Sequence, residues 1–149
     1  MKKIFDEVRS LDKRAIEEFH LTEDILMEHA SLGLKNYITK RFKKNSSILI
    51  VCGSGNNGAD GISLARLLQN KFKVSLYIVN EPKTEIGKLQ LKRAKSINVN
   101  FVNQIFQADI IVDCIFGTGL NKELDKNSID LIEKLNNEKF LLRNQIKLK

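Results

Sequence analysis

Apolar residues recur along this chain at two distinct spacings, and the change from one to the other maps its elements. Ile4, Val8, Leu11, Ala15 and Phe19 stand three to four residues apart, which predicts an amphipathic helix. Thr22 then offers an N-cap, with Glu23 and Asp24 in the first turn and Ile25, Leu26, Ala30, Leu34 and Ile38 continuing a second helix. After Asn45 and Ser46 the periodicity collapses into a continuous apolar run, Ser47-Ile48-Leu49-Ile50-Val51-Cys52, which suits a strand covered on both faces. A glycine-rich turn leads into a helix bearing Ile62, Leu64, Ala65, Leu67 and Leu68. Val74 to Val79 reads as a second strand, 84–96 as a basic amphipathic helix, and Val99–Val102 as a short strand. Asp109 to Phe116 is a fourth strand, Gly117–Leu124 a loop, and Ile129, Leu131, Ile132 and Leu135 the face of a last helix. Strands that alternate with helices and are apolar on both sides predict a three-layer α/β/α, Rossmann-like parallel sheet, with the first two helices as an N-terminal extension.

Composition agrees with a folded domain. The 149 residues are 42% hydrophobic and 29% charged, which excludes wholesale disorder. Mean hydropathy is −0.23, and no apolar stretch approaches the roughly 20 residues of a membrane span. Two distant cysteines make neither a disulfide framework nor a metal knuckle, which points to a reducing, cytoplasmic home. A net charge of +7 raises the idea of nucleic acid, but the excess sits in blocks. Lys35, Lys40, Arg41, Lys43 and Lys44 close the second helix, where cations complement the negative end of its dipole. Another block lies in residues 139–149, and the chain has no Trp for the base stacking that single-strand binders use. Nucleic acid is therefore not an expected partner, and neither is a membrane.

The candidate chemistry lies where strands end, because ligands of open parallel sheets bind outside the carboxyl ends of the strands. One such end is Val51-Cys52-Gly53-Ser54-Gly55-Asn56-Asn57-Gly58-Ala59-Asp60-Gly61. Its glycines permit tight turning and close approach, and the helix that follows offers unpaired N–H groups to an anion. Asn56, Asn57 and Asp60 add polar side chains at the same rim; the plain alternative is that they cap the helix. The other end is Asp113-Cys114-Ile115-Phe116-Gly117-Thr118-Gly119-Leu120-Asn121, a second Gly-x-Gly turn. Gly53, Gly55 and Gly58 satisfy G-x-G-x-x-G, with Glu81 placed where an adenine-ribose acid would stand. A dinucleotide-dependent oxidoreductase is one reading of that match, although it needs a substrate domain for which no residues remain. Asn-Asn and Asp among the glycines argue instead for polar contact with a ligand, and oxygens of Asn57 and Asp113 suit a hard cation.

At these residues the chain resembles the NAD(P)H-hydrate epimerases, the YjeF N-terminal-domain family. Met27-Glu28-His29-Ala30-Ser31 is similar to the family's M-E-x-A-[GA]. Gly53 to Gly61 is similar to its G-x-G-N-N-G-G-D-G, with Ala59 in place of a glycine, and Asp113 to Leu120 to its D-x-x-F-G-T-G-L. The resemblance implies interconversion of the R and S epimers of hydrated NADH and NADPH, a repair of damaged nicotinamide cofactor. It implies substrate contacts from Asn56, Asn57, Gly58, Ala59 and Asp60, and from Gly117, Thr118, Gly119, Leu120, Asn121, Lys122 and Glu123. It also implies a potassium ion on Asn57 and Asp113, and a homodimer. If the glycine replaced by Ala59 served a positive φ, the change would cost about 1 kcal/mol.

The family continues to a D-x-P-S-G segment whose acid assists departure and return of the hydroxyl. The only proline here is Pro82, so the expectation is a domain over residues 1–138 lacking its last strands, followed by a basic tail, 139–149, that is out-of-frame sequence or a degenerate end. Loss of that segment would impair catalysis, leaving a non-catalytic nucleotide-binding remnant or interaction module as the alternative. Cys52 and Cys114 are expected as small core residues rather than a redox pair, and His20 and His29 as surface or interface residues.

Overall fold

The computed structural model describes residues 9–117 and 123–137. Two helices come first, α1 (Arg9–Glu17) and α2 (Glu23–Arg41), followed by β1 (Ser47–Cys52), α3 (Asn56–Leu68), β2 (Lys73–Ile78) and α4 (Glu85–Ser96). Then come β3 (Phe101–Val102), β4 (Ile110–Cys114) and α5 (Lys126–Asn137). The four strands form one parallel sheet in the order β3-β2-β1-β4. The chain therefore steps outward from β1 to β3 and returns to the other side of β1, which puts the topological switch between β1 and β4.

Local chemistry explains the element boundaries. Thr22 caps α2 by accepting from the Ile25 N–H at 3.3 Å, and Thr84 caps α4 by accepting from the Gly87 N–H at 3.2 Å. Lys40 and Arg41 close α2 as its dipole favours. Register between β1 and β4 is stapled where the strands begin. The Asp109 carboxylate accepts from the Ser47 N–H and hydroxyl at 2.8 and 2.9 Å, while the Asp109 N–H donates back to the Ser47 hydroxyl. Those bonds hold the Asp109 carboxyl below the usual carboxylate range.

Both faces of the sheet are covered, as the unbroken apolar run of β1 requires. On one face Ile48, Ile50, Cys52, Leu76 and Val112 pack against Leu34 and Ile38 of α2, Ile62, Leu64 and Leu68 of α3, and Leu91 and Ala94 of α4. On the other, Leu49 and Val51 pack with Ile105, Ala108, Ile115 and Leu135 of α5. Cys52 and Cys114 are both buried and free, facing one another across β1 and β4. Burial pushes the Cys52 thiol well up, and the neighbouring Cys114 thiol adds to it, which keeps it an apolar core residue. His20 and His29 are exposed.

Of the two uses expected of the glycines after β1, the structure shows close approach, and it is to the sheet. No described glycine has positive φ, so none supplies a left-handed turn. They supply closeness. A Cβ at Gly58 would overlap the Gly53 carbonyl oxygen, and one at Gly61 would stand 2.6 Å from the Cys52 sulfur and 2.9 Å from the Cys114 sulfur. The first two turns of α3 thus rest directly on the ends of β1 and β4. Ala59, within the same helix, has no φ penalty: its methyl is buried in a cluster with Met27 and Ile86.

Opposite outcomes are expected for two glycine-to-alanine changes read by denaturant unfolding. Gly58→Ala should destabilise by about 2–4 kcal/mol, because the obstacle is backbone. Gly33→Ala, at an exposed site in α2 with nothing within 4 Å of the added methyl, should stabilise by about 0.5–1 kcal/mol. A neutral Gly58→Ala would disprove the close approach.

Candidate functional site

The two strand-end loops meet at the switch point. Gly53 N–H donates to the Cys114 carbonyl at 3.0 Å, joining the end of β1 to the end of β4. Asn57 Nδ2 then donates to the Phe116 carbonyl at 3.0 Å, and Gly117 lies against the same side chain. Asp113 sits opposite Val51 in the β1–β4 register, with its Oδ1 accepting from the Ile115 N–H at 3.0 Å. One Asp113 oxygen thus shapes the turn after β4, and the other has no protein partner among the described residues.

Asn56 and Asn57 do not cap α3. The N-cap is Gly55, which makes no side-chain bond, and both asparagines lie within the helix. Asn56 Nδ2 donates to Glu23 Oε1 at 2.8 Å, so both amide nitrogens of the pair are held by protein oxygens. Neither amide oxygen has a partner among the described residues. The rim made by α3 is therefore rich in acceptors, with Glu23 and Asp60 beside it. That polarity opposes the expected anion site at this helix terminus and suits a cation or a hydrogen-bond donor.

Asp60 lies one turn into α3. Its carboxyl is pushed up to about 7, mainly by burial and further by the charges of Asp12 on α1 and Glu23 on α2. Its backbone carbonyl accepts from the Ser31 hydroxyl at 3.3 Å, a contact from the Met27-to-Ser31 segment that fastens α2 to α3. The oxygens of Asn57 and Asp113, from facing loops, form a donor set whose chemistry fits a hard monovalent cation. Among the described residues no cluster of three His, Cys, Asp or Glu side chains suits a metal, so further ligands would be neutral oxygens.

Of the expected contact residues, Asn56, Asn57, Gly58, Ala59, Asp60 and Gly117 are brought to one sheet edge. The side chain of Ala59 and the backbone of Gly58 are buried, so any contact from these two positions would be through main-chain groups. Glu123 is exposed, as is Glu81 beyond β2. Thr118, Gly119, Leu120, Asn121 and Lys122 lie outside the described residues.

Sequence reasoning missed the polar seam that holds α2 in place. Arg93 of α4 grips Asp24 with two bonds of 2.6 and 2.7 Å, which holds the Asp24 carboxyl below its ordinary range. Arg66 of α3 binds Glu28, and the fully buried Gln90 donates to both Asp24 and Glu28 at 3.2 and 3.3 Å. The only signal was spacing: Asp24 and Glu28 are four apart on one face of α2, and Gln90 and Arg93 three apart on α4.

Comparison with known proteins matches most of the chain, from the start of α2 onward, and runs past residue 138 into the segment expected to be a tail. The family profile described as YjeF-related protein N-terminus matches residues 23–145. The bifunctional NAD(P)H-hydrate repair enzyme Nnr of Helicobacter pylori is 37% identical over 132 residues, 84% of this chain and 28% of that protein. The NAD(P)H-hydrate epimerase of Levilactobacillus brevis is 33% identical over 136 residues, 87% of this chain and 63% of that protein. The crystal structure of yeast ynu0, YNL200c, superposes with a TM-score of 0.74 at 22% identity, covering 85% of this chain and 60% of that one. The chain thus spans less than two thirds of each of these relatives.

The raised Asp60 carboxyl has a stability consequence with a definite sign. Between the ordinary value of about 3.9 and the folded value of about 7, the folded state holds a proton that the unfolded state has lost. Its favourable contribution is complete below about pH 4 and is lost as pH rises through 7. Asp60→Asn should remove that slope and stabilise the protein at pH 8 by on the order of 1–3 kcal/mol. Unfolding curves at pH 5 and pH 8 check this; equal slopes in both proteins would refute it.

Proposed function

The chain belongs to the YjeF-related protein N-terminus family, and from that premise we propose that it interconverts the R and S epimers of hydrated NADH and NADPH. The observation that carries this reading is the convergence of the two family-like loops, Asn57 reaching from α3 to the Phe116 carbonyl beyond β4. Relatives named for NAD(P)H-hydrate epimerase activity support it from the side of sequence. In this reading Asn56, Asn57 and Asp60 meet the substrate from one side, and the segment from Gly117 to Glu123 from the other. Hydration at the nicotinamide ring creates the stereocentre, so the protein's task is to hold the ring while the hydroxyl leaves and returns.

The same proposal includes a potassium ion held by Asn57 and Asp113. Its support is the side-chain oxygen that each has free of partners among the described residues, with the Asn57 amide nitrogen anchored and the Asp113 turn fixed. A bound cation would supply a fixed positive charge next to the substrate. It also includes a homodimer in the cytoplasm. Support for self-association comes from exposed apolar residues on α1, on α2 and in the turn between them: Leu11, Ile16, Phe19, Ile25 and Leu32 are each at least 41% exposed. Support for the location comes from two free, buried cysteines. No described helix is long and apolar enough to cross a membrane.

Purified R or S hydrate mixed with the protein should approach the epimer equilibrium faster than the spontaneous rate, followed by chromatography. Folded protein that leaves the rate unchanged would overturn catalysis, and binding alone would then be read from thermal stabilisation by the hydrate. Hydride transfer to an added acceptor would indicate an oxidoreductase instead. Potassium should raise the melting temperature of the unaltered protein and fail to do so for Asn57→Ala and Asp113→Ala; a retained effect removes the metal assignment. Sedimentation equilibrium should give twice the chain mass of 17.0 kDa, and a monomer would end the dimer proposal.

A further inference from the structure

An asparagine amide offers a ligand either a donor or an acceptor, depending on which way its plane is turned. The turn of Asn56 is decided outside the loop. Its Nδ2 donates to Glu23 Oε1 at 2.8 Å, and an ionised carboxylate has only acceptors, so the flipped amide would set oxygen against oxygen. Glu23 is itself firmly placed. It opens α2, whose first turn is capped by Thr22 and whose next residue, Asp24, is gripped by both arms of the Arg93 guanidinium. Asn57 is turned with the same polarity, its nitrogen on the Phe116 carbonyl.

We propose that Glu23 is a positioning residue that fixes the Asn56 amide nitrogen toward α2, so that Asn56 meets the ligand through its carbonyl oxygen and recognises an N–H or O–H donor rather than phosphate. This rests on the epimerase reading for the identity of the ligand, and the hydrated nicotinamide ring carries both kinds of donor, a carboxamide N–H and a ring hydroxyl. The neighbouring groups agree with it: no cation is paired with Asn56 or Glu23 among the described residues.

Three variants of the full chain, assayed with hydrated NADH, separate the hydrogen bond from the charge. Glu23→Gln keeps an accepting oxygen and should leave KM within roughly twofold of the unaltered protein. Glu23→Ala frees the amide and should raise KM roughly fivefold, with kcat changed by less than about twofold. Glu23→Lys turns the amide over and should raise KM at least about tenfold. Melting temperatures of all three should stay close to the parent, since Glu23 is exposed. Unchanged KM in the Ala and Lys variants, or a Gln variant as impaired as Ala, overturns the proposal. A readout independent of turnover is the side-chain amide NMR signal of Asn56. It should be displaced in the Ala and Lys variants and near the parent position in Gln; identical signals in all four proteins also overturn it. Absence of turnover by the unaltered protein would count against the epimerase reading, and the NMR comparison would still decide the role of Glu23.

Discussion

Everything at the candidate site depends on one steric constraint, the direct seating of the first turns of α3 on the ends of β1 and β4. The Gly58 Cα lies against the Gly53 carbonyl, and the Gly61 Cα lies over the two cysteine sulfurs. Only a residue without a Cβ fits at either place, so the helix approaches the sheet more closely than ordinary packing allows. That closeness carries Asn57 across the gap to the Phe116 carbonyl and puts the loops of non-adjacent sequence segments on one rim. A methyl at either glycine would lift the helix and separate the two walls before altering any polar group.

A second constraint acts sideways. Three helices, α2, α3 and α4, cover one face of the sheet, and a charged seam of Asp24, Glu28, Arg66, Gln90 and Arg93 sets their relative positions. Such a seam contributes little net stability where its carboxylates are partly exposed, because solvation competes with pairing. Its effect here is positional. Fixing the first turn of α2 places Glu23 beside Asn56 and within electrostatic reach of Asp60. The acceptor-rich character of the rim thus originates in α2 as much as in the glycine loop. This is why the rim suits a cation or a hydroxyl, although a helix N-terminus in isolation would favour an anion.

Much of this architecture was legible along the chain. The continuous apolar run 47–52 marked a strand covered on both faces, because no solvent-facing alternation survives in it. Thr22 marked the start of α2 through its side-chain chemistry, and the paired glycine loops marked the strand ends, outside which ligands of open parallel sheets bind. What was not legible was partnership between segments far apart in sequence. Local reading assigned Asn56, Asn57 and Asp60 to capping or to ligand contact, and assigned the glycines to tight turning and close approach without saying to what. Gly55 is the cap, the described glycines all lack positive φ, and Glu23 and Phe116 hold the asparagine amides. Ala59 likewise looked like a conformational cost and is a packed methyl between Met27 and Ile86.

By itself, then, the sequence determined the element order, the two-sided burial of the sheet, the family and the two candidate loops at the strand ends. These follow from residue type and short-range spacing, which act within a few residues of chain. The tertiary structure decided how the loops meet, which way each amide faces, and why a carboxyl at position 60 stays protonated to about pH 7. Those properties depend on dehydration and on charges contributed by other helices, and neither exists until the chain has packed.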